Sequence, residues 1–168
     1  GGDDDETLLV TEHFAQRTAP LADKGANADA DHSGVVYSIN NATKAVTLIK
    51  LAPIADMGFK DSAGGTAGCF PNQLQSITVN GTFAYVTSIC ASPKGPVGAT
   101  GDTPPKLDNI KTTTHGAVSV IDLTTGAEAT TATASLNDKF DALQAGDTGR
   151  RLPLHPVDVA FVPGTNVS

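Results

Sequence analysis

An all-β protein assembled from a repeated antiparallel unit is what this sequence predicts, and three observations predict it. Gly and Pro supply 17 and 10 of the 168 residues, beside many Thr, Ala and Asn, which is the composition of a turn-rich β chain rather than a helical one. Apolar residues alternate with period two in "VSVIDL" and "TFAYVT", as in strands with one better-buried face. Finally, "HGAVSVIDLTTGAEA" (His115 to Ala129) repeats the pattern of "HSGVVYSINNATKAV" (His32 to Val46), with Gly34 and Gly116 lying 82 residues apart.

Taken in order, Gly1 to Glu6 ("GGDDDE") form a flexible acidic tail, too charged to be structural. It reads either as an ordinary solvated end or as the mature end of a secreted chain, tethered behind a lipid-modified cysteine. The first unit then supplies three strands, Thr7 to Glu12, Gly34 to Asn40 and Ala45 to Leu51. The second supplies four, Gln75 to Asn80, Thr82 to Ile89, Ala117 to Leu123 and Glu128 to Ser135. "DVAFVPGTNVS", from Asp158, matches "SITVNGTFAYVTS", from Ser76, and starts a third unit that ends at Ser168. Val10 and Val86 lead matching Val-Thr pairs, so the opening strand of the first unit corresponds to the second strand of the complete one.

Four-stranded antiparallel units in tandem are the pattern of β-propeller blades. The fold expected is therefore a propeller segment over 7–168, with a partial blade at 7–51, a complete blade at 75–136 and the start of another at 155–168. The usual blade period is about 40–45 residues. The longer spacing here comes from inserted loops at Phe14 to Ser33, Ala91 to Thr114 and Asn137 to Leu154, the last with a short helical stretch ("LNDKFDALQAG"). Two or three blades leave edges and faces open. The remainder of the propeller is thus the first expected partner, on the same polypeptide or a companion chain.

Cys69 and Cys90 are too few for thiolate metal ligation alone but suffice for one disulfide. Around Asn80-Gly81 the chain alternates as a hairpin. With those two residues in the turn, Val79 faces Thr82, and the two cysteines fall a diagonal offset of two from direct pairing at the hairpin's open end. The approach "GCFPNQ" can absorb that offset. The bridge implies an oxidising compartment; the alternative is a pair of buried free thiols.

"AYVTS" (Ala84 to Ser88), "GAVSVIDLTTGAE" (Gly116 to Glu128) and "HPVDVAFVPGTN" (His155 to Asn166) resemble the YVTN-repeat, or YncE-like, family of bacterial β-propellers. The resemblance covers about half the chain, mostly its strands, and is specific for fold rather than activity. It implies a bacterial protein acting outside the cytoplasm, periplasmic or at the cell surface. The long inserts depart from the common pattern and are similar to larger cell-envelope members, some of which continue into a cytochrome c-like domain.

The formal charge of −7, without a Lys/Arg cluster, excludes a nucleic-acid partner. No apolar run approaches the roughly 18 residues of a membrane-spanning helix. Among His13, His32, His115 and His155, the two that precede the Gly-led strands, His32 and His115, are candidate haem or metal ligands; a structural role at a blade corner is the simpler reading. C-x-x-C-H does not occur, so covalent haem c, if the complete protein has it, is expected outside these residues. Asn27, Asp29 and Asp31, spaced two apart, are candidate Ca²⁺ ligands. His32 stands where an EF-hand loop has Gly, and a solvated loop is the competing reading. No nucleophile motif or phosphate cradle is present. The function expected is a non-enzymatic extracytoplasmic scaffold or binding module that takes a protein partner through its inserted loops. The alternatives are a propeller–cytochrome c electron-transfer protein with its haem elsewhere and, third, a propeller dehydrogenase subunit.

Overall fold

The computed structural model describes residues 6–18, 31–57, 66, 68–91, 114–136, 139 and 155–162. Its named elements are all strands: β1 (Thr7–Thr11), β2 (Gln16–Arg17), β3 (His32–Asn40), β4 (Val46–Leu51), β5 (Phe70–Asn80), β6 (Phe83–Ala91), β7 (Thr114–Asp122), β8 (Ala127–Glu128) and β9 (Ala134–Ser135). They form two antiparallel sheets, and neither closes into a barrel. In the first, β1 and β2 lie end to end along one edge of β3, and β4 lies along the other. In the second, β5, β6 and β7 follow one another, and β8 and β9 together form the fourth strand along β7. The three-strand and four-strand units expected from the sequence are therefore present.

The repeated text builds two turns with the same main-chain bond, capped by side chains one residue apart. Asn40 Oδ1 accepts the N–H of Thr43 (2.8 Å), and the N–H of Lys44 reaches Asn40 O (2.8 Å). At the corresponding place Asp122 Oδ1 accepts the N–H and hydroxyl of Thr124, and the N–H of Gly126 reaches Asp122 O (2.9 Å). These bonds from Thr124, the hydroxyl's foremost, hold the Asp122 carboxyl below its ordinary pKa. Lys44 has φ 60° where Gly126 has φ 69°. A side chain in that left-handed region costs about 1–2 kcal/mol, partly offset by the greater unfolded-state freedom of glycine. Lys44→Gly is accordingly expected to raise the unfolding free energy by up to about 1 kcal/mol in denaturant titration.

Three details differ from the sequence reading. The hairpin turn is Gly81-Thr82 rather than Asn80-Gly81, since Asn80 pairs with Phe83. Gly81 alone takes a positive φ, 60°, as a first turn position occupied by glycine allows. Second, β5 carries an irregularity between Asn72 and Ser76, with Gln73 at φ 48°, and the added residues restore Cys90 to a place opposite Pro71. Third, the fourth strand is split. Between β8 and β9 the hydroxyl of Thr133 takes over as acceptor for the N–H of Val120 (3.2 Å), and the N–H of Ala129 reaches Val120 O (2.8 Å). The insert after Phe14 also contributes β2, a two-residue strand too short to read from sequence. The inserts Ala91 to Thr114 and Asn137 to Leu154 lie, apart from Ala91, Thr114 and Lys139, outside the described residues.

The sheets stack through one face each. Val36, Ile49 and Leu51 of the first sheet meet Leu74, Ala84, Val86 and Ile121 of the second, with Leu9, Ile77 and Leu123 at the margin. Gly34 lies at the tightest point: a Cβ there would stand 3.1 Å from Leu74 Cδ1 and from Pro71 Cβ and O. The chain after β4 continues across the second sheet. Ile54 and Cys69 exchange backbone hydrogen bonds (2.8 and 2.9 Å), and Met57 is buried with Cys69, Cys90 and Ala117.

Residues 155–162, where a third unit was expected to start, carry no strand pairing. They nonetheless pack on the opposite face of the second sheet. The Phe161 ring lies 4.6 Å from that of Tyr85, and the Thr78 hydroxyl donates to Val159 O (3.1 Å).

Candidate functional site

Glu128 is the most chemically distinctive side chain in the contact between the sheets. It pairs with Ile121, so antiparallel pairing sets it on the face that meets the first sheet. One carboxylate oxygen accepts the N–H of Ala52, just after β4 (2.5 Å), and the other accepts the Thr133 hydroxyl (2.8 Å). It thus joins the two sheets and braces the interruption in the fourth strand. A cleft of about 150 Å³ opens beside it, lined by Ala52, Pro53, Ile54, Ala55, Thr130 and Thr133, and among the described residues Glu128 is the charged one of that lining.

Burial raises the Glu128 carboxyl above its ordinary pKa, against the opposing effect of the Ala52 N–H and Thr133 hydroxyl. Ser119 is near enough to lower it slightly, but its hydroxyl does not complete a hydrogen bond. A carboxyl whose folded pKa is raised favours the fold most below its unfolded pKa, and that contribution is lost as pH rises through the folded value. Glu128→Gln should therefore flatten the fall in stability from about pH 4.5 towards neutrality. Glu128→Ala should cost about 1–3 kcal/mol by stranding the Ala52 N–H. Thermal unfolding of both variants across that pH range checks the pair.

Cys69 and Cys90 form the expected disulfide, with Cα atoms 5.4 Å apart and both residues fully buried. His32 and His115 occupy different settings. The His32 ring stacks on Phe70 (4.6 Å, 17°), and its Nδ1 lies 2.6 Å from Asp31 Oδ1. Asp31 also faces Arg17 at 3.7 Å. His115 is fully buried opposite Cys90. One extra residue in "HSG" relative to "HG" sets the two histidines on opposite faces of their strands. Of the proposed calcium ligands, Asn27 and Asp29 lie outside the described residues. Among the described residues, no three His, Cys, Asp or Glu side chains gather as a metal site.

The far face of the first sheet carries features the sequence reading did not single out. Tyr37, which pairs with Val10 on one side and Leu48 on the other, donates to Glu12 Oε2 (2.6 Å), and Gln16 Nε2 donates to the same oxygen (2.6 Å) and to the Tyr37 hydroxyl (3.2 Å). The bond to Glu12 is the main reason the Tyr37 hydroxyl titrates above its ordinary value. Around it Leu8, Val10, Val46 and Leu48 are 50, 46, 55 and 47% exposed, whereas Val35 on the same face is fully buried and its partner Lys50 is exposed. The signal was present in "TLLV" and "VTLI", where consecutive apolar residues make both faces of a strand apolar. Glu128, Glu12 and Gln16 gave no such signal, since their roles depend on which strands meet. Among the described residues no helix is long and apolar enough to cross a membrane. Compared with known protein families, with curated proteins and with solved structures, the chain matches none.

Proposed function

We propose that this chain is a segment of a β-propeller of the YVTN-repeat kind, acting outside the cytoplasm as a non-enzymatic scaffold that binds a protein partner through its inserted loops. The observation that carries the reading is the stacking. The first sheet lies on one face of the second and the strandless residues 155–162 lie on the other, an arrangement that supports a succession of units packed face to face. The buried disulfide supports an oxidising compartment. Glu128, with two hydrogen-bond donors already upon it, serves as an inter-sheet brace in this reading.

The intact protein provides the test. It should lack a Soret band, and affinity capture from the envelope fraction should lose its specific partner when the Ala91 to Thr114 insert is shortened. A Soret band would instead favour electron transfer, and capture unaffected by the shortened insert would remove the binding role from that loop.

A further inference from the structure

We infer that the cleft beside Glu128 binds a primary alkylammonium group, the ammonium on the Glu128 carboxylate and a short aliphatic stem along Pro53, Ile54 and Ala55. The inference goes beyond the propeller reading and does not depend on it. One wall of the cleft follows β4 of the first sheet, and the other belongs to the split fourth strand of the second. The hydrogen bonds of the lining select the ligand. The Ala52 N–H and the Thr133 hydroxyl both donate to Glu128. Ile54 exchanges both of its main-chain bonds with Cys69, the Thr133 N–H reaches Ala129 O, and Pro53 has no N–H. These donors are spent within the protein, and acceptors are left over. A carboxylate has about four lone-pair sites, and Glu128 gives one on each oxygen to Ala52 and Thr133. Near it the fully buried Ser119 hydroxyl completes no hydrogen bond, and Thr130 adds a further hydroxyl to the lining. A ligand suited to this site therefore donates hydrogen bonds.

Charge and size narrow the choice. Among the described residues the lining holds no Lys, Arg or His to neutralise Glu128. Burial raises its carboxyl above the ordinary pKa, and a bound cation favours the ionised form again. The formal charge of −7 draws cations towards the protein. A calcium ion fits less well, because it takes about six to eight oxygen ligands, and no three acidic, His or Cys side chains gather among the described residues. The cleft, about 150 Å³, has the volume of about five water molecules. That is room for an ammonium on a four-carbon stem, the shape of a lysine side chain, and the aliphatic wall suits the stem.

The test titrates n-butylammonium chloride into the intact protein and follows the amide NMR signals of Ala52, Thr130 and Thr133. Saturable shifts with a Kd of about 1–10 mM are expected. Glu128→Gln, which keeps an oxygen for the Ala52 N–H, should weaken binding about tenfold or more. If that variant fails to fold, n-butanol on the wild type takes its place: the same stem without the charge should bind about tenfold more weakly. Nα-acetyl-lysine methylamide separates the two sources of such a group. Binding comparable to that of n-butylammonium supports a lysine delivered by a protein partner, and binding of n-butylammonium alone supports a free amine. The inference is overturned by the absence of saturable shifts at about 100 mM n-butylammonium. Equal binding of n-butanol, or unchanged affinity in a folded Glu128→Gln, overturns it as well.

Discussion

Replacing Cys69 and Cys90 together by serine is expected to lower the unfolding free energy by about 3 kcal/mol, measured by denaturant titration under oxidising conditions. The magnitude follows from a bridge spanning 21 residues, which limits the freedom of the unfolded chain. Position adds to it. Both sulfurs lie in the cluster with Met57 and Ala117, where serine would bring hydroxyls into an apolar site. The bridge ties the beginning of β5 to the end of β6, just past the irregularity at Asn72 to Ser76. Its removal should therefore loosen that end of the hairpin first, read as faster amide exchange at Phe70 and Cys90 than at Ile77 and Val86. Reductant should act slowly on the folded wild type, because both cysteines are fully buried.

Gly34→Val is expected to cost about 3 kcal/mol, with Gly34→Ala costing less in the same direction. The cause is local. The new Cβ would stand 3.1 Å from both Pro71 and Leu74, and one of those contacts is the Pro71 carbonyl oxygen, which cannot rotate away. The strand that carries Leu74 is further pinned to the first sheet by its N–H bond to His13 O (3.0 Å) and by the bond from Ala15 N–H to Asn72 Oδ1 (2.9 Å). Relief thus requires the sheets to separate, with loss of contacts around Val36, Leu51 and Ile121. A Gly34→Ala variant of wild-type stability would show that this approach is not tight.

How much of this was legible depends on whether the information was local. The repeated Gly-led strands and their Asn and Asp turns are local in sequence, and β3, β4 and β7, with the turns after β3 and β7, appear where the repeat places them. The disulfide was also legible, though by compensation. The turn lies one residue later than expected, and the irregularity in β5 takes up the difference, so Cys90 still faces Pro71. Nothing in "NQLQS" announces that irregularity, which depends on Leu74 reaching the other sheet. The division of the fourth strand was hidden for a similar reason: "TTAT" is compatible with a strand, and the Thr133 hydroxyl replaces a main-chain acceptor only because Glu128 holds it there. The site was less legible than the fold. Glu128 becomes distinctive only when Ala52, 76 residues away, presents its N–H. Tyr37, Glu12 and Gln16 likewise meet only after β1 and β2 align on β3.

We propose that the two sheets are successive units of a larger ring. A high-resolution structure of the intact protein tests it most directly. A ring requires Leu8, Val10, Val46 and Leu48 to be covered by a neighbouring sheet and a further sheet to lie over Tyr85. Finding the two sheets as a self-sufficient sandwich, with those four side chains facing solvent, would contradict it.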